Sequence, residues 1–273
     1  MYAQYTEKSG KNEVDYFQSL YSKTADIEGA PPPRLRYAIY AQARTGSELV
    51  SAYLRRQGIG LPLEYFHDAS IPMLAARWGC LGPDGRVDFA RYRAQLERHR
   101  TTAGSIFGIK IIVPHLSQIV GGNLNAAAAV LGTFDKILLM RRHDTLRQAI
   151  SLMRAMATGQ WHVVPGDDQK RLTSSDVSLS FARITFCWAL VLNQERDMAQ
   201  VEAMLGPGKL RTVWYEDLSD ANTMSAIAAW LTADSGVSPR PAAPDHALPI
   251  KGDSREADAI MKAYLDYIGV VPP

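Results

Sequence analysis

The chain has 273 residues, nearly half of them hydrophobic, enough for one large α/β domain or two small ones with a substantial core. Its 30 Lys and Arg against 28 Asp and Glu leave a net charge of +2, which gives no ground for a nucleic-acid or membrane-surface partner. Cys80 and Cys187 are too few for a disulfide framework and lack metal-ligand spacing, so reduced thiols in a cytoplasmic chain are expected.

The first residues are polar and carry no apolar segment of the signal-peptide kind. No apolar run approaches the roughly 20 residues that a bilayer crossing needs. Residues 1–33, with scattered aromatics and a closing Pro31-Pro32-Pro33, read as an N-terminal arm packed on the rest of the chain or on a second subunit. Residues 34–273 then form a single domain. Short apolar strands are expected at 37–41, 106–113 (closed by Pro114), 134–140 and 210–215. Helical patterns lie between them at 87–100, 116–131, 144–158 and 174–205, with Asp144 as an N-cap and Gly159 just past the third helix. A loop is expected at 159–171, and a Pro-rich loop followed by a helix at 243–268. This alternation predicts an α/β fold with a mostly parallel central sheet flanked by helices, whose ligands sit at the carboxyl ends of the strands.

The first strand stops at the polar turn Gln42-Ala43-Arg44-Thr45-Gly46-Ser47, and a helix follows at once. Clustered N–H groups, the helix dipole and Arg44 suit an anion; an ordinary strand-to-helix turn capped by Ser47 is the alternative. The layout is that of a phosphate loop without the Walker Gly-Lys-Ser/Thr. Arg141 and Arg142 leave the third strand as a helix carrying Ser151 begins, and the planar guanidinium fork suits phosphate. One of the two arginines is alternatively solvated or paired with Asp144. With Arg44 and Lys110 they would bring four cations to one sheet edge. Glu64, in the loop Leu-Pro-Leu-Glu-Tyr-Phe after the first helix, is either a general base beside that anion or an exposed loop carboxylate.

Taken in order, the Q-x-R-x-G-S turn, the Glu-Tyr-Phe loop, the strand with Gly-x-Lys, the strand ending Arg-x-x-Asp and the helical Gln-Ala-x-Ser resemble the Stf0-type sulfotransferases. The resemblance runs from about Arg36 to the C-terminal helix. It implies a P-loop-like sulfotransferase fold and 3′-phosphoadenosine 5′-phosphosulfate (PAPS) as sulfuryl donor. It also implies a carbohydrate or glycolipid hydroxyl as acceptor, and a homodimer. On this likeness Arg44, Thr45, Gly46 and Ser47 hold the phosphosulfate, and Arg142 and Ser151 hold the 3′-phosphate. Lys251 and Arg255 belong to a segment covering the nucleotide, and Trp214-Tyr215-Glu216-Asp217-Leu218 matches a later strand and turn. Glu48 and His143 depart from it, standing where a hydroxyl residue and a proline are usual.

Sulfuryl transfer requires in-line geometry and stabilisation of charge on the equatorial and leaving oxygens. Glu64 would take the acceptor proton while Arg44, the turn and Lys110 stabilise the sulfuryl oxygens. Tyr65, Trp161 and His162 would line the acceptor site; Trp161 alternatively closes the preceding helix against the core. The six histidines (67, 99, 115, 143, 162, 246) show no HxxxH or HxH spacing, and no metal is expected. A P-loop nucleotide kinase or NTPase, and a non-catalytic homologue binding a nucleotide or glycan, are the competing readings.

Overall fold

In the computed structural model, residues 18–159, 161, 180–233, 235, 236 and 255–270 are described. Among them four strands, β1 (Leu35–Ala41), β2 (Ile106–Ile112), β3 (Lys136–Arg141) and β4 (Leu210–Trp214), form one parallel sheet in the order β2-β1-β3-β4. The chain moves from β1 to one neighbour and then returns to the other side of β1. The boundary between β1 and β3 is thus a topological switch point, where the loops leaving two adjacent strands diverge and open a crevice.

The helices are α1 (Ser47–Arg56), α2 (Ser70–Arg77), α3 (Phe89–Arg100), α4 (Val113–Ile119), α5 (Leu124–Gly132), α6 (Thr145–Thr158), α7 (Phe181–Leu205), α8 (Ala221–Thr232) and α9 (Arg255–Tyr267). Strand alternation divides the core into two layers. Ala38, Tyr40, Phe107, Ile109, Ile111, Ile137 and Leu139 face α3, α4, α5 and α7. Tyr37, Ile39, Ala41, Ile106, Ile112, Leu138 and Met140 face α1 and α8. Away from the sheet, Leu146, Ile150 and Met153 of α6 pack with Ile184 and Val191 of α7 and with Ile260 and Tyr264 of α9. No helix among the described residues is long and apolar enough to cross a membrane.

The strands and the helices α3 and α6 follow the sequence reading, and the helix expected at 174–205 is α7 from Phe181 onward, residues 174–179 lying outside the described ones. Asp144 caps α6 by accepting from the Arg147 N–H, while Gly159 ends it at φ 72°. The helix expected at 116–131 is instead two, α4 and α5. Gly121 and Gly122 adopt φ 61° and 76° between them, a left-handed pair that an α-helix cannot contain. Helices α2 and α8 were not anticipated. The described part of the N-terminal arm lies on the domain: buried Arg100 donates to the carbonyls of Leu20 and Ser22 and pairs with Asp26 at 2.6 Å.

Candidate active site

The turn after β1 is built from the inside. Thr45, fully buried, donates its hydroxyl to the Gln42 carbonyl at 2.8 Å and closes the loop, so it offers a ligand only its backbone N–H. The residue capping α1 is Gly46, not Ser47 as the sequence suggested, and no side chain caps the helix. Gly46 sits at φ +78°, and a Cβ there would lie 2.5 Å from Leu218 Cδ1 and 3.0 Å from Tyr215 Cδ2. The backbone N–H groups at the start of α1 therefore keep the anion-receiving arrangement of a helix N-terminus.

Arg44 has φ 68°, an uncommon conformation for a residue with a side chain. Contacts across the crevice hold it: Nε donates to Ser151 Oγ at 3.0 Å, and the guanidinium also donates to the Trp161 carbonyl. One turn earlier on α6, Gln148 donates to Gln42 Oε1 at 3.0 Å and to the Ala43 carbonyl at 2.9 Å. The Gln-Ala-x-Ser pattern is thereby explained, since residues three apart on one helix face both reach the turn. Gln148 braces it and Ser151 meets its arginine.

The two arginines leaving β3 part company. Arg141 turns to α7 and pairs with Glu195 and Glu202, both at 2.9 Å, so it joins helix to sheet and does not add to the cations of the crevice. Arg142, 7% exposed, lies over the Tyr215 ring with its guanidinium carbon 4.2 Å from the centroid, and Glu216 is 4.0 Å from its Nε. Tyr215 thus touches both the position of a Gly46 side chain and Arg142, and fixes one relative to the other. The Glu216 carboxylate accepts from the backbone N–H groups of His143 (3.2 Å) and Asp144 (3.3 Å), which face an anion before α6. His143, which replaces the usual proline, stacks on Trp214 at 3.7 Å.

On the α1 face of the sheet, Lys110 projects from β2 and is 2% exposed. Its ammonium lies 2.5 Å from Glu48 Oε2 and 2.9 Å from Glu64 Oε1. Burial pulls its pKa down, and the two carboxylates more than reverse this, holding it above the ordinary lysine value. Glu48 also pairs with Arg55 at 2.8 Å, so two carboxylates face two cations. The departure at Glu48 thereby has a structural role: it is the counter-ion of a buried lysine.

Glu64 is delivered to this cluster by backbone pairing. Leu63 bridges to Ile109 beside β2, with the Lys110 N–H donating to the Leu63 carbonyl at 2.9 Å. The Glu64 N–H donates to Tyr21 Oη at 2.9 Å, which ties the N-terminal segment to the same loop. One carboxylate oxygen faces Lys110; the other lies 3.8 Å from His115 Nδ1, where burial holds the imidazole pKa below its usual value.

Tyr65 is a core residue and not part of an acceptor surface. It is fully buried, donates to the Leu61 carbonyl at 2.8 Å, and burial pushes its phenol up to about 12. Trp161 is half-buried against α6 and α7, with its carbonyl on Arg44. His162 and Lys251 lie outside the described residues, as does the side chain of Arg255, whose backbone opens α9. Sequence reasoning missed the bracing role of Gln148, the central place of Tyr215, and the gathering of His67 and His115 about Glu64. The first two have a signal in the quoted motifs; Glu64 and His67 stand three residues apart, but no local spacing brings in His115.

The turn after β1 and the cationic end of β3 lie astride the switch point of a parallel α/β sheet, the place where such sheets bind ligands. The Stf0 sulphotransferase family model matches residues 36–246, and the chain belongs to that family. On that family match the chain is a sulfotransferase. It is similar to the crystal structure of a sulfotransferase from Alicyclobacillus acidocaldarius, at 16% identity over 89% of this chain and 98% of that one, with a TM-score of 0.46. It is also similar to the sulfotransferase domain from the curacin biosynthetic pathway, at 12% identity over 90% of this chain and 100% of that one, with a TM-score of 0.42. No curated protein matches the chain.

Proposed function

We propose that the chain transfers the sulfuryl group of PAPS to a hydroxyl of a carbohydrate or glycolipid acceptor, with Glu64 as general base. The observation that carries this reading is Lys110, which joins Glu64 to Glu48 in the first turn of the helix that follows the anion turn. The proton acceptor is thus coupled to the donor cradle through one buried cation. Arg44 and the N–H groups of Gly46 and Ser47 receive the phosphosulfate, and Arg142 with Ser151 receives the 3′-phosphate.

In the reaction the acceptor oxygen attacks sulfur as its proton passes to Glu64, and the sulfur–oxygen bond to the 5′-phosphate breaks. The Lys110 ammonium, 2.9 Å from Oε1, orients the Glu64 carboxylate. Arg44 and the turn meet the charge that grows on the departing phosphate. Trp161, His162, Lys251 and Arg255 complete the proposal on resemblance alone, as do the homodimer and the cytoplasmic setting. The setting also agrees with two buried, free cysteines.

The test is transfer from the labelled donor to a panel of sugars, lipid-linked glycans and small alcohols. Glu64→Gln is expected to lower turnover by roughly 10²–10⁴ while 3′-phosphoadenosine 5′-phosphate binds nearly as before. Equal turnover in that variant removes Glu64 as the base. Absence of both transfer and donor binding overturns the whole reading.

A further inference from the structure

Glu64, His67 and His115 each offer one ligand atom, and these atoms lie within 4.8 Å of one another. We propose that the three residues form a binding site for a zinc-class divalent cation, which occupies the carboxylate oxygen of Glu64 and so inhibits the enzyme. The inhibitory consequence rests on Glu64 being the base; the metal site does not.

The donor set is two imidazoles and a carboxylate, a combination that suits zinc and its first-row neighbours and not magnesium or calcium. Donors around a tetrahedral zinc stand about 3.4 Å apart, and Glu64 Oε2 is already 3.8 Å from His115 Nδ1. The two rings meet edge to face, 4.5 Å between centroids at 77°, so neither covers the other. The remaining contraction is a matter of side-chain rotation at three half-buried residues.

The surroundings fit as well. His67 Nδ1 is held within its own loop, accepting from the Ala69 N–H at 3.0 Å and lying 2.8 Å from Asp68 Oδ1. Nε2 is then the nitrogen available to a metal. Coordination there moves the ring proton to Nδ1, which gives up the Ala69 N–H and donates instead to Asp68 Oδ1, as metal-bound histidines do to outer carboxylates. Lys110 contacts Oε1 of Glu64 while Oε2 is the oxygen on the His115 side, and the ammonium is also balanced by Glu48. His67 sits three residues after Glu64, and His115 comes from the first turn of α4, directly after β2. The site therefore exists only in the folded chain.

Calorimetric titration of the full chain with Zn²⁺, and separately with Mg²⁺, tests the site without reference to catalysis. Zn²⁺ binding is expected, weakened at least about tenfold in His67→Ala and in His115→Ala, with circular dichroism confirming that both variants fold. Unchanged Zn²⁺ affinity in either variant, or Mg²⁺ binding of equal strength, overturns the assignment. With the labelled donor, Zn²⁺ is expected to inhibit transfer, EDTA to reverse it, and each variant to be less sensitive relative to its own metal-free rate. Zn²⁺ binding without inhibition overturns the inhibitory role and leaves the site standing. Absence of transfer in every sample would count against the function proposed above, and the calorimetry would still decide the metal.

Discussion

Replacing Gly46 by alanine separates two reasons for a glycine in the anion turn. The residue holds φ +78°, and left-handed backbone costs a side-chain-bearing residue roughly 1–2 kcal/mol. The new Cβ would also stand 2.5 Å from Leu218 Cδ1 and 3.0 Å from Tyr215 Cδ2, and relieving such overpacking costs about 1–3 kcal/mol. The expected destabilisation is therefore about 2–5 kcal/mol. Gly58 supplies the control, because it has φ +68° and a Cβ added there would meet nothing within 4 Å, so Gly58→Ala should lose only the roughly 1–2 kcal/mol backbone part. Urea unfolding of the two variants measures the difference as the steric part. Because Tyr215 also carries Arg142, Gly46→Ala should weaken binding of 3′-phosphoadenosine 5′-phosphate, whereas Gly58→Ala should bind it as the parent does. Equal stability losses in the two variants, or equal affinities, would refute the reasoning that Tyr215 couples the turn to the strand-end arginine.

Arg142→Ala should weaken the same adenosine bisphosphate by at least about tenfold in calorimetry, the scale of a lost charge-assisted hydrogen bond; unchanged affinity would move the 3′-phosphate to other residues. His99, stacked on Trp78, has its pKa held below the usual histidine value by burial, against an opposing attraction from Asp26. Above about pH 6.5 the ring is neutral both folded and unfolded. As pH falls further the unfolded chain takes the proton more readily, so folded stability declines. His99→Gln should therefore lose less stability between pH 7.5 and 5.5 than the parent in urea titrations, and equal losses would show that His99 does not contribute.

The alternation of strands and helices was legible because each strand is a short apolar run and each connection long enough for a helix. Capping signals such as Asp144 and Gly159 act within a few residues and could be read locally. The break at Gly121-Gly122 is equally local, yet the alanine run of α5 that follows it masks it. Tyr65 shows the opposite failure: an aromatic beside a candidate base in a loop resembles a ligand contact, but that loop pairs with β2 and the ring is buried in the core.

By itself the sequence determined the parallel α/β architecture, the position of the strand-to-helix turn at 42–47 and the family motifs, since periodicity and turn chemistry operate over neighbouring residues. Only the tertiary structure decided how the charges are shared. Adjacent Arg141 and Arg142 part to α7 and to Tyr215, and Glu48, unaccounted for in sequence, becomes the partner of Lys110. His115 comes to Glu64 and His67 through pairing of their loop with β2. Charges find their partners across the packed interior at distances of a few ångströms, and sequence separation carries no record of which partner lies within that reach.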